Sequence, residues 1–124
     1  MHCQLRSADR TLFDGEATMI VARSPRGEFA ILGDHAPLLA VLAPGVLRIQ
    51  SDTGERVFVI RGGILRTTGD VTTLLVESGL PVEEIDLDAV RRRLTELDAL
   101  TEAADGRQER DHLLLLQGAK ERHG

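Results

Sequence analysis

The sequence predicts a mainly β fold, a sandwich or barrel of short antiparallel strands, followed by a two-helix hairpin. Three observations carry this. Up to about residue 80, turn signals recur every 7 to 12 residues, among them Asp14-Gly15, Pro25-Arg26-Gly27, Pro44-Gly45, Gly62-Gly63 and Gly69-Asp70. Between them lie short β-branched and aliphatic runs, and many short strands at such spacing read as a sandwich or barrel. No helix-period segment separates the runs, which argues against a parallel βαβ sheet.

The strands follow in order. Thr18–Val21, Phe29–Leu32, Val46–Ile49, Val57–Ile60 and Val71–Val76 are the clearest. Gly62-Gly63 has no strand–loop–helix context for a phosphate loop, so it reads as a turn or bulge where the backbone needs positive φ. After Pro81 the period changes. Asp86 is a plausible N-cap, and Leu87, Val90, Leu94 and Leu97 fall on one helical stripe with Arg91, Arg92, Arg93, Glu96 and Asp98 between them. Asp105-Gly106 supplies a turn, and a second helix is expected from near Gln108 through Leu113–Leu116. Four consecutive leucines cover more than one helix face, which favours burial. Short helices are marginal alone in water, so this hairpin must pack on something. The boundary falls near residues 80–85, giving a sandwich domain over 1–82 and a hairpin domain over 83–124.

Composition narrows the function classes. Apolar residues make up 42% and can supply a core, but aromatics are only 2%, so that core must be aliphatic. Few aromatic rings and a net charge of −5 argue against nucleic acid, which selects basic surfaces and stacking platforms. The charge is uneven: residues 1–80 carry 8 basic and 9 acidic groups, residues 81–124 carry 7 and 11. No run is long enough to span a membrane. The N-terminus lacks a basic segment followed by an apolar one, so no secretory signal is expected.

Catalytic chemistry finds little support. Nucleophilic catalysis needs a nucleophile beside a positioned base. The histidines are His2, His35, His112 and His123, and the one cysteine, Cys3, reads as a small strand residue. One Cys and four scattered His do not make a zinc site. Glu83-Glu84 sit just before the expected helix, where they favour its positive end. No catalytic residue and no metal site are assigned. The stretch from Gly27 to Leu39 stands out instead. An apolar run enters a polar turn, Gly33-Asp34-His35, and apolar residues resume after Pro37. A core strand has no need of a histidine there, so the turn is a candidate contact surface.

These elements, in this order, resemble the epsilon subunit family of the bacterial F-type rotary ATP synthase. The residues that carry the resemblance are Ser7-Ala8-Asp9-Arg10-Thr11-Leu12-Phe13-Asp14-Gly15, Gly27–Leu32, His35-Ala36-Pro37-Leu38-Leu39, Pro44–Ile49, Gly62-Gly63-Ile64-Leu65 and Glu83-Glu84-Ile85-Asp86. The resemblance implies a non-catalytic rotor subunit of a proton-translocating ATP synthase. In that family a ten-stranded sandwich binds the gamma subunit and rests on the c-subunit ring. The hairpin lies folded, or extends along gamma towards the alpha and beta catalytic subunits and inhibits ATP hydrolysis. Ser7, Glu28 and His35 fall where the family contacts gamma or the c ring. Leu87-Asp88-Ala89-Val90-Arg91-Arg92 is similar to a motif that binds ATP in some members, with Arg92 in place of Ala; Asp88 and Arg91 are the corresponding residues. No cofactor is required, ATP being at most a regulatory ligand. The implied location is peripheral, on the cytoplasmic side of the inner membrane. Gly33-Asp34 departs from the proline-containing turn usual in the family. The basic residues of the second helix are few: Arg107, Arg110, Lys120 and Arg122. The alternative reading is a free-standing β-sandwich ligand-binding module with a helical lid.

Overall fold

The chain is described by a computed structural model that covers residues 1–99 and 104–123, with side-chain surroundings for 1–97 and 108–123. Ten strands come first: β1 (His2–Arg6), β2 (Thr11–Glu16), β3 (Met19–Ser24), β4 (Gly27–Leu32), β5 (Leu38–Leu42), β6 (Gly45–Ser51), β7 (Gly54–Ile60), β8 (Gly63–Thr67), β9 (Val71–Val76) and β10 (Gly79–Pro81). A 3₁₀ turn at Val82–Glu84 leads into α1 (Leu87–Ala99) and α2 (Ala104–His123). The chain divides into two compact units, Met1–Pro81 and Val82–Gly124.

The first unit holds two five-stranded sheets, ordered β2-β1-β9-β8-β5 and β10-β7-β6-β3-β4. The expectation of an antiparallel sandwich holds except at one pair, since β1 and β9 run parallel, Cys3 opposite Thr72 and Leu5 opposite Leu74. Parallel neighbours need a long crossover, and here the intervening chain is most of the sandwich itself. Alternation then builds the interior. Cys3 and Leu5, Ile20 and Ala22, Leu47 and Ile49, Phe58 and Ile60, and Leu65 and Leu74 all point into one buried cluster. Each such aliphatic side chain contributes roughly 1.5–3 kcal/mol relative to exposure. The interior is aliphatic apart from Cys3 and Phe58, the latter its largest fully buried side chain.

Gly63 shows why a glycine is needed at the start of β8. Its φ is +154°, and a Cβ there would sit 2.1 Å from the Leu75 carbonyl oxygen. Only a residue without a side chain lets β8 approach β9 so closely.

The second unit is smaller. Asp86 caps α1, its Oδ1 accepting the Ala89 N–H at 3.2 Å. Leu87, Leu94 and Leu97 are half-buried and Val90 is buried, which forms the expected stripe. Glu83 and Glu84 lie exposed on the 3₁₀ turn that precedes the helix. α2 starts at Ala104, four residues before the expected Gln108, so Asp105-Gly106 lies in its first helical turn rather than in a connecting turn. The helix connection itself, and the side chains of Asp98 and Arg107, lie outside the described residues. α2 packs on α1 and on the 3₁₀ turn. Of the four leucines, Leu116 is buried, Leu113 and Leu115 are half-buried and Leu114 is exposed.

Candidate partner-docking surface

The strand registers place the sequence-derived residues at two ends of the sandwich. His35 follows β4, and its carbonyl oxygen faces Gly69 in the β8–β9 turn. That turn lies at the end of the first sheet where His2 pairs with Val71. Ser7 follows the other end of β1, beyond the Arg6–Leu75 pair. Glu28 is level with that second end, because it pairs with Arg23, whose carbonyl accepts from Ala43 just past β5. With strands of five or six residues, the two ends are roughly 20 Å apart. Ser7, Glu28 and His35 therefore do not form one patch.

Each has its own local anchor. The Ser7 hydroxyl donates to Asp9 Oδ1 at 2.7 Å, and the Ser7 N–H donates to the Arg10 carbonyl at 2.9 Å. The Ser7 hydrogen bond in turn holds the Asp9 carboxyl below its usual range. Glu28 is exposed on β4, 3.9 Å from Arg48. The His35 N–H donates to the Leu32 carbonyl at 3.2 Å and closes a four-residue turn. Asp34 occupies its third position with φ +65°. A short polar side chain tolerates that left-handed conformation, so the turn forms without proline. His35 Nδ1 lies 2.6 Å from the Ala36 carbonyl oxygen. A carbonyl only accepts, so the Nδ1 N–H is the donor in this contact.

Beneath this turn, the buried Thr67 hydroxyl oxygen accepts from the Gly69 N–H at 3.1 Å and from the Thr72 hydroxyl at 2.8 Å. Those bonds fix the β8–β9 turn against which the His35 carbonyl rests. A Cβ on Gly69 would lie 2.9 Å from that oxygen.

One feature was not singled out from the sequence. Val41 pairs with Ile64, and Ile64 pairs with Leu75, so these three side chains form a row across β5, β8 and β9. All three face away from the interior, with 63%, 49% and 56% of their surface exposed. Leu39, one step along β5 towards His35, is 70% exposed. A shallow groove of about 520 Å³ lined by Pro37, Leu38, Leu39, Arg66, Thr67 and Thr68 continues the surface towards the turn. A one-sided antiparallel sheet turns polar residues outward, so a contiguous apolar row marks a contact face. The signal was present in Leu38-Leu39-Ala40-Val41-Leu42 and Leu74-Leu75-Val76, which are apolar at consecutive positions instead of alternate ones.

The remaining candidates lie elsewhere. Asp88 and Arg91 sit one turn apart on α1, and Arg91 faces Glu121 of α2 at 3.4 Å. A protein carboxylate thus holds the group that would pair with a phosphate. Cys3 is fully buried, with its thiol pushed up to about 12 by burial first and by the nearby Asp14 charge second. A neutral buried thiol is neither nucleophile nor ligand. His2 is the next residue but projects from the opposite face of β1, where its Nε2 meets Asp14 at 2.7 Å. Among the described residues, no three His, Cys, Asp or Glu side chains are grouped to hold a metal.

Comparison with known proteins agrees with this architecture. Residues 1–82 match the family described as ATP synthase, Delta/Epsilon chain, beta-sandwich domain. The ATP synthase epsilon chain of Xanthomonas campestris pv. campestris (strain B100) is 39% identical over 101 residues, spanning 81% of this chain and 72% of that one. The epsilon chain of Xanthomonas oryzae pv. oryzae (strain MAFF 311018) is 38% identical over the same length. A chain in the Euglena gracilis mitochondrial ATP synthase OSCP/F1/c-ring assembly superposes with a TM-score of 0.76 at 26% identity, covering 97% of this chain and 78% of that chain. A chain of the Tetrahymena thermophila mitochondrial ATP synthase central stalk/c-ring shares the fold, with a TM-score of 0.67 at 19% identity over 96% of this chain and 95% of that one. This chain belongs to the ATP synthase delta/epsilon family and is a non-catalytic subunit of the epsilon type, not a free-standing ligand-binding module with a helical lid.

Proposed function

We propose that this chain is a central-stalk rotor subunit that couples the c-subunit ring to the catalytic head through the gamma subunit. The observation that carries the proposal is the solvent-facing row Val41–Ile64–Leu75, extended by Leu39 towards the His35 turn. It is a face for a large apolar partner surface, and gamma is the partner assigned to it. The separation of Ser7 and Glu28 from His35 suits a subunit held at both ends, by gamma and by the c ring. Attachment to the membrane then runs through the complex, peripherally and on the cytoplasmic side of the inner membrane; no helix among the described residues is long and apolar enough to cross a bilayer. The hairpin is assigned the regulation of ATP hydrolysis, by moving between a folded form and one that reaches the alpha and beta subunits. Regulatory ATP binding at Asp88 and Arg91 would require a phosphate to displace Glu121 from Arg91.

The docking face is tested with the full-length chain and purified gamma subunit. Val41→Asp, on an exposed position, should weaken the complex by about 10- to 100-fold, the scale of a central apolar contact. The thermal midpoint of the free chain should stay unchanged. Wild-type affinity in both Val41→Asp and Ile64→Asp would remove the assignment. The regulatory role is tested separately: if ATP hydrolysis by the assembled complex is the same with and without residues 85–124, the hairpin is no inhibitor.

A further inference from the structure

Beside the apolar stripe of α1, arginine–carboxylate pairs bridge the two helices of the second unit. Arg93 of α1 presents its guanidinium fork to Glu109 of α2, with Nη2 donating to Oε2 at 3.0 Å and Nε donating to Oε1. Its remaining edge donates through Nη1 to Glu96 Oε2, on the next turn of its own helix, at 2.9 Å. A second clasp, Arg91 to Glu121, lies nearer the C-terminus of α2. The carboxylates are shared between the helices so that neither element alone satisfies Arg93. A two-carboxylate fork on arginine is the geometry in which a partly exposed ion pair contributes measurably. Among the described residues of the unit, the fully buried apolar side chains are Val82, Ile85, Val90, Leu116 and Ala119.

We propose that Arg93, Glu109 and Glu96, backed by Arg91 and Glu121, form a salt-sensitive latch that holds α1 and α2 against each other. The inference rests on the regulatory reading of the hairpin only for its purpose; the latch itself is a property of the isolated chain. Its strength suits a switch, because a two-state element responds to partners only when its states differ by a few kcal/mol. A fork of charges is strong at low ionic strength and is screened at high ionic strength, whereas an apolar seam is not weakened by salt. Partner carboxylates or arginines offered by a neighbouring subunit would compete for the same groups and release α2.

The test is a distance measurement on the full-length chain, with nitroxide labels at Thr95→Cys and Asp111→Cys and the buried Cys3 replaced by Ala. Pulsed electron resonance is recorded at about 0.01 M and about 1 M salt, where the screening length falls from about 30 Å to about 3 Å. The native latch should give one short separation at low salt and a growing long-separation fraction at high salt. Glu109→Gln should raise the long fraction about fivefold at low salt and remove most of its salt dependence, as expected for an exposed ion-pair network. The exchange Arg93→Glu with Glu109→Arg should bring the short separation back, which a merely misfolded variant would not do. The latch is overturned if Glu109→Gln gives the native distances at both salt concentrations, or if the exchange fails to restore them while circular dichroism shows native helix content. Opening of the latch with unchanged ATP hydrolysis by the assembled complex would leave the latch standing and remove the regulatory reading instead.

Discussion

In the sandwich unit, strands from both sheets send alternate side chains into one shared interior. Among the described residues of the hairpin unit, few side chains are fully buried, and arginine–carboxylate pairs bridge the helices. The difference teaches how one chain sets a unit held by shared apolar burial beside one bridged by exposed charge. Apolar burial is cooperative over many strands, so no single contact can be released without cost to its neighbours. Charge pairs between two short helices can be exchanged for pairs with another partner at little cost. The same contrast appears in sequence separation: β1 meets β9 across most of the sandwich, whereas α1 meets α2 across a short connection.

The largest effect that sharpens this contrast is expected in the interior. Phe58→Ala should destabilise the sandwich by about 3–5 kcal/mol, since a fully buried ring leaves a cavity in an aliphatic cluster that cannot collapse around it. Chemical denaturation followed by backbone circular dichroism checks it, and a loss below about 1 kcal/mol would mean that the interior repacks freely.

Alkaline pH probes the same interior through Cys3. Its folded value is raised from 9.0 to about 12, so the unfolded state releases the proton first. The contribution of Cys3 is therefore fully present below pH 9 and is lost progressively towards pH 12, with a slope of up to about 1.4 kcal/mol per unit. Cys3→Ala should lack this loss; equal alkaline stability curves for the two proteins would show the thiol to be solvated.

Thr67→Val tests the polar support under the β8–β9 turn. It leaves the Gly69 N–H without its buried acceptor and the Thr72 hydroxyl with only the weaker Met1 sulfur at 3.3 Å, at a cost of about 1–3 kcal/mol. Thermal unfolding measures the cost, and amide exchange at Gly69 shows whether the turn loosens first. The smallest effect is expected in the other unit. Asp86→Ala removes the N-cap of α1 and should cost about 1 kcal/mol, read as faster amide exchange over the first turn of α1 with the sandwich unaffected. Equal loss of protection across the sandwich would break the comparison, because the two units would then unfold together.

Much of this was legible because it rests on local chemistry. Glycine pairs, turn spacing and β-branched runs marked the strands, and Asp86 with a leucine stripe marked α1. The start of α2 was misplaced because Asp105-Gly106, a turn signal by composition, was absorbed into the first turn of a helix. The aliphatic interior was expected from the scarcity of rings, yet its largest fully buried side chain is Phe58. His35 was recognised as a turn residue, but its support by Thr67 and Gly69 depends on a neighbouring hairpin that no local window contains. The apolar row was readable only as runs without alternation. Neither strand by itself says which neighbour continues the row.

The sequence by itself determined the element types and the turns that need glycine, because these follow from backbone conformational preference and from hydrophobic period; the family was legible through the resemblance of its ordered motifs. Only the tertiary structure decided that β1 and β9 lie side by side, that Val41, Ile64 and Leu75 align, that Ser7 and His35 stand at opposite ends, and that Arg93 reaches Glu109. Those facts depend on strand register and helix packing, which are set by contacts between residues far apart in the chain and are invisible to any local reading.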